Sequence, residues 1–185
     1  MARPQRASDE EIVARIAHHL GTREWPASSW SLAEVAPAAE LSPAGLVKRF
    51  GSRTGLLRAL GEHWVGAIPR EPQLPDRPLE ELRRFARDGF AAPSGAAAIA
   101  GLTDLLADLA DDSTRAVLRE GVERQLHYVA RLVEHLALPR TGDPVRAAAL
   151  LLDALHGGLV RRATEAGEGS PTPDNTIDAF LEWWT

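Results

Sequence analysis

The chain contains no cysteine, a single methionine and a single tyrosine. Without thiols it builds neither a disulfide framework nor a thiolate metal site, which fits a reducing compartment. Its apolar runs fall far short of the roughly 20 residues that a membrane span needs. The first residues, Met1-Ala2-Arg3-Pro4-Gln5-Arg6, lack the apolar core of a secretory signal. A soluble, cytoplasmic protein with no membrane partner is expected. Alternation of Val, Ile, Thr and Tyr is missing, so strands are not expected. Also missing are the GxSxG, P-loop, GxGxxG and HExxH signatures. His18 and His19 are neighbours, so on a helix they diverge by about 100° and do not chelate one ion. Glu62-His63 and Glu134-His135 share that geometry, and the single spaced pair Glu123 and His127 is too few ligands for a site. No catalytic residue, metal or cofactor is expected, and the chain does not read as an enzyme.

What is present is helical throughout. The hydrophobic fraction is 44% and the charged fraction 25%, ordinary values for a globular protein. The net charge of −5 is uneven: residues 1–60 carry a net +2 and the remainder −7, a polarity that suggests a nucleic-acid-facing end and an acidic body. Lys48 is the only lysine among the 21 basic residues. Capping-box spacing from Ser8 to Glu11 opens a helix over residues 9–20, with Ile12, Ile16 and Leu20 as its apolar stripe. Residues 21–29 read as a loop. A short second helix starts at Ser31, buries Leu32, Val35, Ala36 and Ala39, and is shortened by Pro37. A third begins after Ser42 with Pro43 in the favoured first position. A fourth starts near Ser52 and ends by Pro69. Four prolines in residues 69–78 mark a boundary. Helices over about 79–92, 94–110, 113–138, 143–166 and 174–184 follow, with a loop over 167–173. The fold class is therefore all-α, an N-terminal three-helix unit over 1–60 and a second helical domain over 61–185.

Two short capped helices joined by a tight turn over residues 39–42 form the pattern of a helix-turn-helix. Small Ala36 and Ala39 suit the crossing. The residues Val35-Ala36, Ala39-Glu40-Leu41-Ser42, Leu46-Val47, Arg49-Phe50, Arg53-Thr54 and Leu56-Leu57 resemble the recognition segment of the tetracycline-repressor (TetR) family of transcriptional regulators. The resemblance is strongest over residues 41–60. Residues 147–163 and 177–184 look like the family's last two helices. Three departures stand out: Glu40 replaces the turn glycine, so a turn of another shape is expected; Val47 replaces a tyrosine; and Pro37 lies inside the bracing helix.

The resemblance implies a DNA-binding regulator, by the family's usual role a repressor, with double-stranded operator DNA as partner. Ser42 would cap the recognition helix and, with Ser31, hold phosphate. Lys48 and Arg49 would contact phosphate or bases, and Arg53 phosphate near the next helix. Arg3 and Arg6 would form a basic arm. Pro43, Ala44 and Gly45 face the bases without hydrogen-bonding side chains, and Val47 lacks the hydroxyl that touches a phosphate, so readout rests on thymine methyls, Lys48 as the one strong base donor, and DNA shape. The resemblance also implies a homodimer through the last two helices, for which Ala148, Leu151, Leu152 and Leu155, the pair Gly157-Gly158, and Trp183 and Trp184 are candidates. It places a small apolar or aromatic effector in the body. Candidate lining residues are Trp64, Phe85, Phe90, Leu105, Leu109, Gln125, Tyr128 and His156, with His127 and Arg131 as further polar groups. Each of these residues is more often core than pocket, because an aromatic at helical spacing usually just packs. A helical protein-interaction module of the same fold that no longer binds DNA is the alternative reading.

Overall fold

The structure is a computed structural model that describes residues 7–22, 30–164 and 172–185. Among them are nine α-helices and no strand, and the fold is all-α. No helix of the described residues is long and apolar enough to cross a membrane. The expected loop over 21–29 lies mostly outside the described residues, as do Arg3, Arg6 and most of the loop over 167–173.

Local chemistry sets the helix starts. In α1 (Asp9–Gly21) the Ser8 hydroxyl accepts from the Glu11 amide at 3.1 Å while the Glu11 carboxylate accepts from the Ser8 amide at 2.7 Å. Ser31 and Glu34 repeat this box at the start of α2 (Leu32–Val35). Helix α2 stops after one turn, because Pro37 has no N–H to continue the ladder. Helix α3 (Pro43–Phe50) begins with proline behind the Ser42 cap, and α4 (Arg53–Ala67) begins behind Ser52. Helices α5 (Pro78–Phe90) and α6 (Gly95–Ala110) follow. Helix α7 (Asp112–Leu136) starts one residue before the expected Ser113. The reason is Asp111, whose carboxylate accepts from the Ser113 and Thr114 amides at 2.9 and 3.1 Å. Helices α8 (Pro144–Thr164) and α9 (Pro173–Trp184) complete the chain.

Two apolar cores result. The N-terminal one gathers Ile12, Val13, Ile16, Trp30, Val35, Ala36, Ala39, Leu46 and Leu56. The body core is built on α5, α7, α8 and α9, with Leu82, Tyr128, Leu132, Leu151, Leu155 and Ile177 among its most enclosed residues. The division falls inside α4: Leu57 and Leu60 pack on the first core and Trp64 on the second. Helix α4 meets α7 closely. Trp64 lies across the backbone of Gly121, where an added Cβ would fall 1.9 Å from the ring, and Gly61 faces Val117. Arg124 on α7 donates to the Val65 carbonyl at 2.8 Å.

The proline-rich segment is strapped down by one buried carboxylate. Glu81 is fully buried, and it accepts from the amides of Gln73 at 2.7 Å and Leu74 at 2.6 Å and from the Tyr128 hydroxyl at 2.5 Å. Burial alone would push this carboxyl up, but the Tyr128, Gln73 and Leu74 hydrogen bonds outweigh it and hold the group below the ordinary glutamate range. The same burial and bond push the Tyr128 hydroxyl up. Farther along α5, Arg87 and Arg83 donate to Asp174 at the start of α9 at 2.7 and 3.1 Å.

Candidate nucleic-acid interface

The α2–α3 pair is a short bracing helix, a tight turn and an eight-residue second helix. Ala36 and Ala39 are both buried at the crossing, where small side chains let the backbones approach. The Leu41 amide donates to the Ala36 carbonyl at 3.1 Å and the Glu40 amide to the Pro37 carbonyl at 3.0 Å. The substitution of glutamate for the family's glycine suggested a turn of another shape. Instead Glu40 itself takes the left-handed conformation, with φ of 54°, a state that disfavours a residue with a Cβ by about 1 kcal/mol. Its carboxylate lies 3.3 Å from Arg15 of α1, an exposed pair of small energetic weight.

Helix α3 presents Pro43, Ala44, Val47 and Lys48 to solvent, with Gly45 and Arg49 half-buried behind them. Val47, in the place of the family's tyrosine, is 41% exposed. The Ser42 hydroxyl accepts from the Gly45 amide at 3.1 Å and the Ser31 hydroxyl from the Glu34 amide at 3.3 Å. Both therefore cap helices as expected. Each retains a hydroxyl hydrogen for an outside acceptor such as a phosphate oxygen. Lys48 has no ion pair or hydrogen bond among the described residues and carries the face's unengaged charge.

The two arginines differ from the expectation of free phosphate contacts. Arg49 donates through Nη1 to the Ala7 carbonyl at 2.7 Å and sits 3.3 Å from Asp9, so it braces α3 against the start of α1. Arg53 donates through Nε to the Trp30 carbonyl at 3.1 Å, with its guanidinium 4.4 Å from the centre of the Trp30 ring. A guanidinium carries five N–H donors, so neither residue is used up, but both have a structural role first.

Sequence reading overlooked two features of this face. Gly55 is required where α4 starts: a Cβ there would fall 1.9 Å from the Phe50 carbonyl oxygen, so the end of α3 sits directly on α4. The Ser52 cap three residues earlier, accepting from the Gly55 amide at 3.0 Å, was the available signal. Arg15 was the other omission, since only the folded chain brings α1 to the turn.

The candidate effector residues fall into separate places. Phe85, Phe90, Tyr128 and His156 do meet. Phe85 stands edge-on to Tyr128 at 5.4 Å and to Phe90 at 6.0 Å, and Phe90 to His156 at 4.8 Å. They fill the space by packing on one another. His156 Nδ1 is 2.8 Å from the Leu152 carbonyl. Gln125 is buried on α7, while Leu105 is half-buried and Leu109 exposed on α6. Trp64 is apart from this cluster, against Gly121. His127 and Arg131 point outward along an exposed cleft with Glu71, to which Arg131 is paired at 3.2 Å. They do not reach the aromatic cluster, because their side of α7 is turned away from the core. Glu81, the buried polar group beneath that cluster, was not anticipated.

The apolar face of α8 also differs from expectation. Ala148, Leu151, Leu152 and Leu155 are all buried within the chain itself, against α7 and its neighbours, and so is Trp184. The large apolar residues left outside on these helices, among the described residues, are Val145, Leu150, Val160 and Trp183, the last 64% exposed. A Cβ on Gly157 or Gly158 would meet nothing within 4 Å. No family model matches the chain, and no curated protein matches it.

Proposed function

We propose that this chain is a DNA-binding transcriptional regulator of the tetracycline-repressor type, a cytoplasmic homodimer joined through its last two helices. It acts as a repressor that a small apolar or aromatic effector releases from operator DNA. One observation carries the reading. A one-turn capped helix, a left-handed turn at Glu40 and a second capped helix with an outward face bearing Lys48 support a reading as a helix-turn-helix of the kind that docks in a major groove. The resemblance of residues 41–60 to the family's recognition segment supports the same conclusion. The engagement of Arg49 and Arg53 within the chain favours a second reading, a helical protein-interaction module of the same fold.

Fluorescence anisotropy of a duplex from upstream of this gene, against a scrambled duplex at two salt concentrations, separates the two. The regulator binds its duplex selectively and loses affinity steeply with salt. Lys48→Ala then lowers the salt slope by about one unit. Absence of binding to any duplex at low salt refutes the regulator.

A further inference from the structure

A cavity of about 500 Å³ lies between α1, α4 and α7, outside the body cluster considered for an effector. Leu20 from α1, Leu57 and Trp64 from α4, Val117 and Leu118 from α7, and Trp30 form apolar walls. It is a cleft half open to solvent, with room for on the order of 15 waters. It falls in the size range of small-molecule sites. Water against such walls gains little, and an apolar body of matching size removes that surface from solvent.

The charge of the lining restricts the occupant further. Arg53, Arg58 and His63 border the cavity, and none of the described residues lining it is acidic. The Arg58 guanidinium is 3.6 Å from Glu62, but both are more than half exposed, so that pairing is weak and readily exchanged. We infer that the cavity binds a small molecule with a flat apolar body and one acidic group, the body beneath Trp30 and Trp64 and the acid toward Arg58 and Arg53. Such a ligand touches α1, α4 and α7 at once. It also competes with a phosphate for Arg53, a consequence for DNA release that rests on the regulator reading.

The test uses 8-anilinonaphthalene-1-sulfonate, an apolar dye with one sulfonate, and its uncharged counterpart N-phenyl-1-naphthylamine. The full chain is titrated without DNA, and energy transfer from tryptophan is followed. Ala17→Phe places a ring in the cavity from α1. It raises the dissociation constant of both dyes at least about tenfold, because the ring occupies the space the dyes need. Arg58→Gln, at an exposed position that leaves packing intact, weakens the sulfonate dye about fivefold and leaves the uncharged one unchanged. Dye affinities in Ala17→Phe that match the wild type, in a variant of unchanged helicity, place the dyes elsewhere and overturn the site. Equal effects of Arg58→Gln on both dyes, or no effect, overturn the acid-binding assignment. In a separate arm the sulfonate dye weakens duplex binding by the wild type and not by Ala17→Phe. Failure of every duplex to bind removes the regulator reading alone, because the dye titrations need no DNA.

Discussion

Replacing Gly121 by alanine is expected to force apart the two helices that join the N-terminal unit to the body. The new Cβ would lie 1.9, 2.3 and 2.9 Å from Cζ3, Cη2 and Cε3 of Trp64, so the indole has to move by more than an ångström. Overpacking of this kind costs about 1–3 kcal/mol, and with two atoms inside 2.5 Å the upper half of that range applies. Alanine returns about 1 kcal/mol through its better helix propensity. The net loss is about 1–2 kcal/mol, which for a chain of this length lowers Tm by roughly 2–8 °C. Gly101→Ala is the control, since its Cβ meets nothing within 4 Å in the interior of α6. It should gain about 1 kcal/mol. Thermal unfolding followed by far-ultraviolet circular dichroism reads both variants. In a Trp64→Leu background the Gly121→Ala penalty should vanish, because the two changes act on one contact. A Gly121→Ala protein stabilised to the same extent as Gly101→Ala would refute the packing of Trp64 on this glycine.

Three further outcomes follow from the geometry. Glu40→Gly should raise stability in urea unfolding by about 0.5–1 kcal/mol, because glycine occupies the left-handed turn without strain, whereas Glu40→Ala should not. Tyr128→Phe removes one donor from the buried Glu81 carboxylate and should cost about 1.5–3 kcal/mol. Because the folded Glu81 carboxyl titrates below its unfolded value, its contribution is complete above the ordinary glutamate range and is lost as pH falls through the folded value. Urea unfolding across acid pH should show this dependence, and show it reduced in Tyr128→Phe. Gly157→Ala should loosen the homodimer in sedimentation experiments if α8 is approached there. Unchanged association with a gain of about 1 kcal/mol would place the dimer contact elsewhere.

The starts of α1, α2 and α3 were legible because their causes are local. Ser8 with Glu11, Ser31 with Glu34, and Ser42 before Pro43 each satisfy amides three residues away, and nothing distant overrides them. The apolar face of α8 was equally visible in the spacing of Ala148, Leu151 and Leu155. Periodicity shows that a face is buried but not what buries it, and the chain's own helices claim this one. Glu40 was misjudged because the strain of one residue is small beside the packing of Ala36 and Ala39 that closes the turn. Glu81 was passed over because a glutamate is almost never fully buried; only folding brings Tyr128 and the Gln73 and Leu74 amides around it. Likewise, the aromatic residues signalled apolar volume, but which of them would meet depended on how α5, α7 and α8 cross.

Because α4 is one uninterrupted helix serving both cores, it has a mechanical length. From Trp64 to Arg53 is 11 residues of α4, about 16 Å at 1.5 Å per residue. A tilt of about 5° about the Trp64–Gly121 fulcrum displaces the Arg53 end by about 1.4 Å, nearly three times the half-ångström span within which N–H···O hydrogen bonds form. Gly55 seats the end of α3 on that moving end, so α3 is carried with it. A sub-ångström shift of α4 beside Gly121 would thereby be magnified at the end that carries α3.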